Sequence, residues 1–334
     1  MMSRIYFFIL LAISVSFMRP VQGQDLHLSQ FDASPVTLNP AFSGMYPKGE
    51  FRAAAQFRSQ WSSVADKFLT SSFAFDVPFK ERWGLGGYIL NNDAARQFNV
   101  FNFAAGASYN VIEPTNKNHM LSAGLQLGVI HKSIDIDEYL FDNQYQEGLF
   151  NTYIPSGENY ERTSKFLPEL NMGVMYKNVD TESKVRPHAG FALYHILRPK
   201  EGFVKAENSR LPIRWVGHGG VKFVIDDFTI DPRVLFMYQR NAIDLNFGFS
   251  GQYDLTDKNV NIIAGCFYRW NDAIIPMFGL EYFNTTFQLS YDINVSGLKE
   301  YTQGRGGVEF SLIFKGFTST SRSGGSGFAH PRPY

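Results

Sequence analysis

Histidine is the side chain in this sequence whose chemistry depends most on spacing, because two imidazoles on one face can hold a metal ion. The sequence contains seven histidines, and they are scattered. His188 and His195 are predicted on opposite faces of one strand, and His119 and His131 at opposite ends of another. Local spacing brings no pair together, so we predict no metal site and no cofactor.

Carboxylates offer a second possibility, because Asp135, Asp137 and Glu138 lie close together in a long polar segment and could bind Ca²⁺. The twelve-residue spacing and the turn glycine of a calcium loop are missing, which favours a solvated acidic loop. The sequence has no phosphate-binding loop, Gly-x-Ser-x-Gly elbow or His-Glu-x-x-His helix. We therefore predict that the protein is not an enzyme; a Ser–His pair assembled from distant strands remains an alternative.

Two arginines occupy an unusual place. Arg52 and Arg58 share the polar face of a predicted strand, and Gln60 continues that face. A charge that points inward needs a partner, and Asp76, predicted to point inward from the next strand, can supply one. Alternatively, these side chains form a polar docking surface for a molecule that occupies the interior.

Strands must position these side chains. Residues 242–253 alternate between apolar and polar side chains, and residues 286–295 and 307–315 repeat the pattern. Alternating strands of about ten residues with aromatic ends are typical of a membrane-spanning β-barrel, whose apolar face meets lipid. Aromatic residues make up 16% of the chain, which suits girdles at both membrane interfaces. We predict an all-β, transmembrane antiparallel β-barrel.

The same pattern divides the chain into four parts. Residues 1–23 combine a basic start, a short apolar run and a plausible cleavage site before Gln24, which predicts a secretory signal peptide. Residues 24–48 form an irregular segment rich in turn signals, and residues 49–315 hold about fourteen strands. Residues 316–334 are rich in Ser and Gly and are predicted to form a flexible tail.

Connection lengths predict the orientation of the barrel. The longest predicted connections, residues 133–165, 197–211 and 296–306, all follow odd-numbered strands. Outer-membrane barrels have long extracellular loops and short periplasmic turns, so we expect these loops outside the cell. The N-terminus and the C-terminal tail are then expected in the periplasm. Tyr145 and Tyr153, in the first of these loops, suit adaptable contacts with a protein partner.

Charge and cysteine content exclude other classes. Basic and acidic residues are equal at 31 each, so nothing favours a nucleic-acid partner. The single cysteine, Cys266, excludes an internal disulfide and a cysteine-based metal cluster.

Three short motifs precede or lie within the first strand. They are His27-Leu28-Ser29-Gln30-Phe31, Leu38-Asn39-Pro40-Ala41-Phe42-Ser43-Gly44 and Phe57-Arg58-Ser59-Gln60-Trp61. Their order and spacing in front of a barrel resemble the PorP/SprF family of type IX secretion membrane proteins, over nearly the whole mature chain. The resemblance implies an outer-membrane barrel that helps a very large secreted protein, often a gliding adhesin, through the type IX system. It also implies that the barrel holds the C-terminal domain of that protein at the cell surface.

The resemblance carries over to individual residues. The family motif corresponds here to Asn39, Pro40, Ala41, Gly44, Arg58, Gln60 and Trp61. The Asn39-Pro40 pair and Gly44 also predict a tight turn at the entrance to the first strand.

Partner binding is expected at a small set of side chains, with other type IX components and outer-membrane lipid as further partners. An outer-membrane transport channel for a small or hydrophobic solute is the alternative function. The side chains expected to bind the secreted protein are Arg52, Arg58, Gln60, Trp61, Tyr145 and Tyr153.

Overall fold

The computed structural model describes most of the chain. The described residues are 25–46, 50–60, 67–113, 115–116, 118–136, 139–146, 148–151, 153–157, 162–203, 209–255, 259–297 and 299–317. Several predictions fall on residues outside these ranges, namely the signal peptide over 1–23, Trp61, the carboxylates Asp137 and Glu138, and the tail from residue 318 on.

Fourteen strands form one closed barrel, and each pairs antiparallel with its neighbours, which confirms the predicted fold class. The barrel strands are β1 Glu50–Gln60, β2 Phe68–Pro78, β3 Trp83–Ala94, β4 Phe98–Asn110, β5 His119–Ile134, β8 Ser164–Asn178, β9 Val185–Tyr194, β10 Arg214–Ile225, β11 Phe228–Gln239, β12 Ala242–Leu255, β13 Val260–Arg269, β14 Ala273–Tyr282, β15 Thr285–Asn294 and β16 Arg305–Phe317. Two further strands, β6 Tyr145–Gln146 and β7 Leu149–Phe150, form a separate hairpin between β5 and β8.

The alternating sequence pattern becomes two different barrel surfaces. In β12, Ile243 and Phe249 are 64% and 53% exposed on the outside, whereas Asp244 and Asn246 are buried inside. Successive side chains of a strand point to opposite faces, so one register supplies the apolar exterior and the other the polar lumen. Barrel closure pairs β16 with β1 and leaves neither strand with a free edge.

The barrel has two different ends. The long-connection end carries the described residues of the connections 135–163, 195–213 and 295–304. At the short-connection end β1 begins, β16 ends and tight turns such as 226–227 join neighbouring strands. No helix in the described ranges has the length and hydropathy needed to cross a membrane.

The N-terminal residues 25–46 lie inside the barrel, and we call them the plug. The plug contains a short helix over Pro35–Leu38 and a 3-10 turn over Pro40–Phe42. Its first residue, Asp25, contacts Gln239 and His195 at the long-connection end, whereas Gly44 bonds to Asp76 near the short-connection end.

The position of the plug corrects one expectation. Asn39, Pro40 and Gly44 were predicted to form a turn at the entrance to β1, but they lie within the lumen, where Asn39 and Pro40 contact strands far away in the sequence. Asp25 and Phe317 lie at opposite ends of the barrel, and the side of the membrane on which each terminus lies stays a prediction.

Candidate functional site

A cluster of four charged side chains lies in the lumen near the long-connection end. We call Arg58, Arg269, Asp292 and Glu309 the lumen charge cluster. The Arg58 guanidinium is 2.7 Å from an oxygen of Asp292 and 2.9 Å from an oxygen of Glu309, and Arg269 is 3.1 Å from Asp292. All four residues are at most 3% exposed, so two cations balance two anions away from water.

The plug completes the hydrogen bonds of this cluster. The Ser29 amide donates to Glu309 at 2.7 Å, and the Gln30 amide donates to the same carboxylate at 2.9 Å. The Ser29 hydroxyl donates to Asp292 at 2.8 Å and accepts hydrogen bonds from Arg58 and Arg269. The Ser-Gln pair of the first motif therefore joins the plug to four strands of the wall, β1, β13, β15 and β16.

Gln30 satisfies every polar group of its side chain on the wall. Its amide nitrogen donates to the Ser290 hydroxyl at 3.0 Å and to the Glu309 carbonyl at 2.9 Å. Its amide oxygen accepts from Ser311 at 2.6 Å, and its backbone carbonyl accepts from Gln56 at 3.0 Å. A buried amide with all its partners in place fixes the position of the chain strongly.

The Asn39-Pro40-Ala41 motif anchors the middle of the plug. The Asn39 side chain accepts from the Ala41 amide at 2.9 Å and thereby caps the 3-10 turn that begins at Pro40. The same side chain donates to the Val174 carbonyl at 3.0 Å, and Ser122 donates to the Ala41 carbonyl at 2.8 Å. The motif thus builds a local turn and binds it to the barrel wall.

Glycines in the wall make room for the plug backbone. A Cβ on Gly124 would overlap the backbone of Pro40, and one on Gly173 would overlap the side chain of Asn39. A Cβ on Gly84 would overlap the plug backbone in the same way. A glycine within a strand often marks a site where another backbone approaches closely, and at Gly84 and Gly124 that backbone belongs to the plug.

Gly44 ends the motif for a conformational reason. Its φ of +61° lies in the left-handed region that favours glycine. Its amide donates to Asp76 at 2.9 Å, and Asp76 also accepts from Arg52 at 3.0 Å. The predicted partnership of Arg52 and Asp76 is therefore confirmed, and the plug shares it.

The plug begins in a second charged cluster at the long-connection end. Asp25 accepts from the His195 imidazole at 2.5 Å, and Arg214 lies 3.7 Å from Asp25. Burial alone would lower the His195 pKa, but the neighbouring carboxylates of Asp25 and Glu169 raise it to about 9. Burial likewise tends to raise the pKa of Asp25, but His195 and Arg214 hold it below its usual value. The pair is therefore charged near neutral pH.

His195 corrects the prediction that His188 and His195 occupy opposite faces of one strand. The strand β9 ends at Tyr194, and His195 adopts a φ of +59°, which breaks the alternation. Both histidines consequently face inward, but His188 contacts Asp231 while His195 contacts Asp25. No group of three or more His, Cys, Asp or Glu side chains in the described ranges could hold a metal ion.

Five of the six predicted partner-binding residues lie in the described part of the chain, all but Trp61, and the structure does not bring these five together. Arg52 and Arg58 are buried and paired inside the lumen, and Gln60 is half-buried at the end of β1. Tyr145 and Tyr153 are 54% and 96% exposed in the connection between β5 and β8. Their role in partner binding stays a prediction.

Sequence reasoning did not assign a role to most of the residues that hold the plug. Ser29 and Gln30 were noticed only through the resemblance. Asp292 and Glu309 were seen only as polar positions of the strands predicted over 286–295 and 307–315, and Arg269 was not singled out. One signal could have identified Asp292 and Glu309. Both are charged residues on the polar face of the last two strands, where an inward charge needs a partner.

Comparisons with known proteins agree with this architecture. The family model described as type IX secretion system membrane protein PorP/SprF matches residues 21–314. No curated protein is a significant match. Among solved structures, the Ralstonia pickettii toluene transporter TbuX is 10% identical with a TM-score of 0.51, covering 85% of this chain and 93% of that chain. The monoaromatic hydrocarbon channel CymD is 12% identical with a TM-score of 0.50, covering 85% and 92%. At these identities the likeness shows the fold of an outer-membrane barrel alone.

Proposed function

This chain belongs to the PorP/SprF family of type IX secretion system membrane proteins, and from that premise we propose that it assists export and surface anchoring of a large secreted adhesin-type protein. It does so by binding the C-terminal domain of that protein, in company with other components of the type IX system. The barrel lies in the outer membrane. The proposed role is binding and requires no catalysis.

The occupied lumen is the observation that carries this proposal. The plug contacts the wall from His195 at one end to Asp76 near the other, and its wall contacts include the buried charges of Arg58 and Glu309. A barrel that fills its lumen with its own chain presents its ends to partners. Arg52 and Arg58 are already paired, so docking on the inner face would first require the plug to leave.

The connection between β5 and β8 offers the surface that suits docking. Around the β6–β7 hairpin, Tyr145, Leu149, Phe150 and Tyr153 are all at least half exposed. Exposed aromatic and aliphatic side chains at one place are typical of protein-binding sites, where a few such anchors supply most of the affinity. We name these four residues the loop patch.

A deletion strain tests the proposed role. Cells without this protein should fail to display one particular giant adhesin, while other type IX cargo still reaches the surface. Normal display of every adhesin would contradict the proposal.

A binding assay tests the loop patch. The detergent-solubilised barrel should capture the C-terminal domain of the missing adhesin, and the pair Tyr145→Ser and Tyr153→Ser should weaken capture. Tyr282→Ser is the matched control, because Tyr282 is 52% exposed at the short-connection end. Equal weakening by the control would show that the patch is not the docking surface.

The proposal requires the long-connection end to face the outside. An epitope tag inserted at Gly157, in the connection between β5 and β8, should be reached by antibody on intact cells. Labelling only after permeabilisation would reverse the topology and remove the loop patch as a docking site.

The second candidate function, a transport channel for a small or hydrophobic solute, is favoured by a cavity of about 180 Å³ beside the plug. Transport needs the plug to move, whereas docking on the loop patch does not. Ala33 of the plug and Ala54 of β1 belong to one buried cluster, so a cross-link between cysteines placed at both positions, with Cys266→Ala, would lock the plug. If the protein is a transport channel, the oxidised, locked form should lose solute uptake. If the protein docks an adhesin on the loop patch, the same oxidised form should still display the adhesin normally.

A further inference from the structure

The cavity lies at the long-connection end between the plug and the barrel wall, and its surface is mainly apolar. Its volume of about 180 Å³ exceeds the roughly 150 Å³ of an engineered cavity that binds benzene. One side comes from the plug and the other from strands β3, β4, β5, β10 and β11. The apolar side chains that line it include Leu28, Phe31, Val100, Ile130, Val216 and Leu235.

The charged side chains that line the cavity are unequal in sign. Lys132, His195 and Arg214 are cationic, whereas Asp25 is the one carboxylate in the lining. Lys132 bonds to Glu201 at 2.7 Å and His195 bonds to Asp25 at 2.5 Å, so both have close partners.

Arg214 lacks such a partner. Its guanidinium lies 3.7 Å from Asp25, which is beyond hydrogen-bond distance, and stacks over the Tyr194 ring at 4.4 Å. Its Nε is buried and has no hydrogen-bond partner in the part of the chain that the structure describes. The Arg214 side chain as a whole is 16% exposed. A guanidinium in this position favours an additional anion, because charge-assisted hydrogen bonds are stronger than neutral ones.

We propose that this cavity binds a small carboxylate that carries an apolar body of one ring or a short chain. The carboxylate accepts hydrogen bonds from the Arg214 guanidinium, and the apolar body lies against Phe31, Val100 and Leu235. This inference concerns a site separate from the loop patch, and it holds whether or not an adhesin docks there.

The site also ties the ligand to the plug. Leu28 and Phe31 belong to the plug, whereas Arg214 and Leu235 belong to the wall, so the complete site exists only while the plug is in place. A ligand that binds the barrel with the plug in place, but not the barrel with the plug displaced, shifts the equilibrium toward the state with the plug in place.

Calorimetric titration of the purified full-length barrel with benzoate tests the site. Saturable binding of one benzoate is expected, with acetate and benzene each binding at least about tenfold more weakly because each lacks one half of the ligand. Arg214→Met should weaken benzoate by about tenfold or more, and Arg186→Met should not change it. Arg186 is the matched control, because its guanidinium bonds to backbone carbonyls of Thr181 and Ser183 at the short-connection end.

A second variant keeps the test independent of how Arg214→Met folds. Val100→Trp fills the cavity and leaves Arg214 in place, so it should also abolish benzoate binding, while heat-modifiable migration on gels verifies that the barrel is intact. Absence of benzoate binding to the unmodified protein overturns the proposal. So does undiminished binding by a folded Arg214→Met or Val100→Trp barrel, or acetate binding as tight as benzoate binding.

Discussion

Replacing Arg58 by methionine tests how much the lumen charge cluster contributes to stability. Methionine keeps the length and apolar stem of the side chain but removes the charge that contacts Asp292 and Glu309. Both carboxylates are at most 2% exposed, so water does not replace the lost guanidinium. Removing one partner of a buried ion pair costs about 3–5 kcal/mol in other proteins.

The structure places Arg58→Met at the lower end of that range, near 3 kcal/mol by the same estimate. Asp292 keeps Arg269 at 3.1 Å, so it does not lose all its positive partners. Glu309 keeps only neutral donors, the amides of Ser29 and Gln30 and the Gln56 side chain at 3.4 Å, and therefore bears most of the loss. Adding Glu309→Gln neutralises that stranded charge and should restore about 1–2 kcal/mol, because the two positions are directly coupled.

Urea unfolding of the barrel in lipid vesicles measures these changes, followed by tryptophan fluorescence and by heat-modifiable migration. Arg186→Met is the control, because Arg186 bonds to backbone carbonyls outside the cluster. If Arg58→Met cost less than about 1 kcal/mol, or if the double variant were no more stable than the single one, the cluster would not be the stabilising site described here.

Three further changes probe the plug and the barrel. Gly124→Ala places a Cβ against the backbone of Pro40 and should lower the free energy of unfolding by about 1–3 kcal/mol. Gly217→Ala is the control: its Cβ meets nothing within 4 Å, so the free energy of unfolding should change by about 0.5 kcal/mol or less. Equal effects of the two substitutions would contradict the contact between Gly124 and the plug. Phe247→Arg puts a charge on the lipid face of β12 and should cost about 2–4 kcal/mol, measured by the same unfolding. The His195 pKa is raised from 6.5 to about 9, so its contact with Asp25 stabilises the seated plug fully below pH 6.5 and is lost as pH rises through about 9. Limited proteolysis should show that loss, and Asp25→Asn should reduce the pH dependence, although Glu169, 3.2 Å from the His195 imidazole, still raises the His195 pKa.

The barrel was predictable because its signal is local. Side chains of a strand repeat every two residues, so residues 242–253 show their lipid and lumen faces without any knowledge of their neighbours. Connection lengths are local as well, and they separate the two ends correctly. The inward direction of Arg52, Arg58 and Asp76 followed from the same register, and the structure confirms it.

The plug was not predictable because its contacts join residues that lie far apart in the sequence. Asn39 and Pro40 do form the turn that their residue types indicate, but nothing local shows that the turn lies against Gly124 and Gly173. The predicted direction of the His195 side chain was wrong for a different reason. His195 has a positive φ, which is uncommon for a residue other than glycine and breaks the two-residue period on which the strand prediction depends.

The closing pair of strands explains why the plug and the barrel form one unit. The register of β1 and β16 places Arg58 directly opposite Glu309, so this ion pair lies across the seam where the barrel closes. Ser29 and Gln30 of the plug donate to the same Glu309 carboxylate. Seating of the plug and closure of the seam therefore stabilise each other. A partner that enters the lumen has to break this coupling, whereas one that binds the loop patch leaves it intact, which favours docking at the long-connection end.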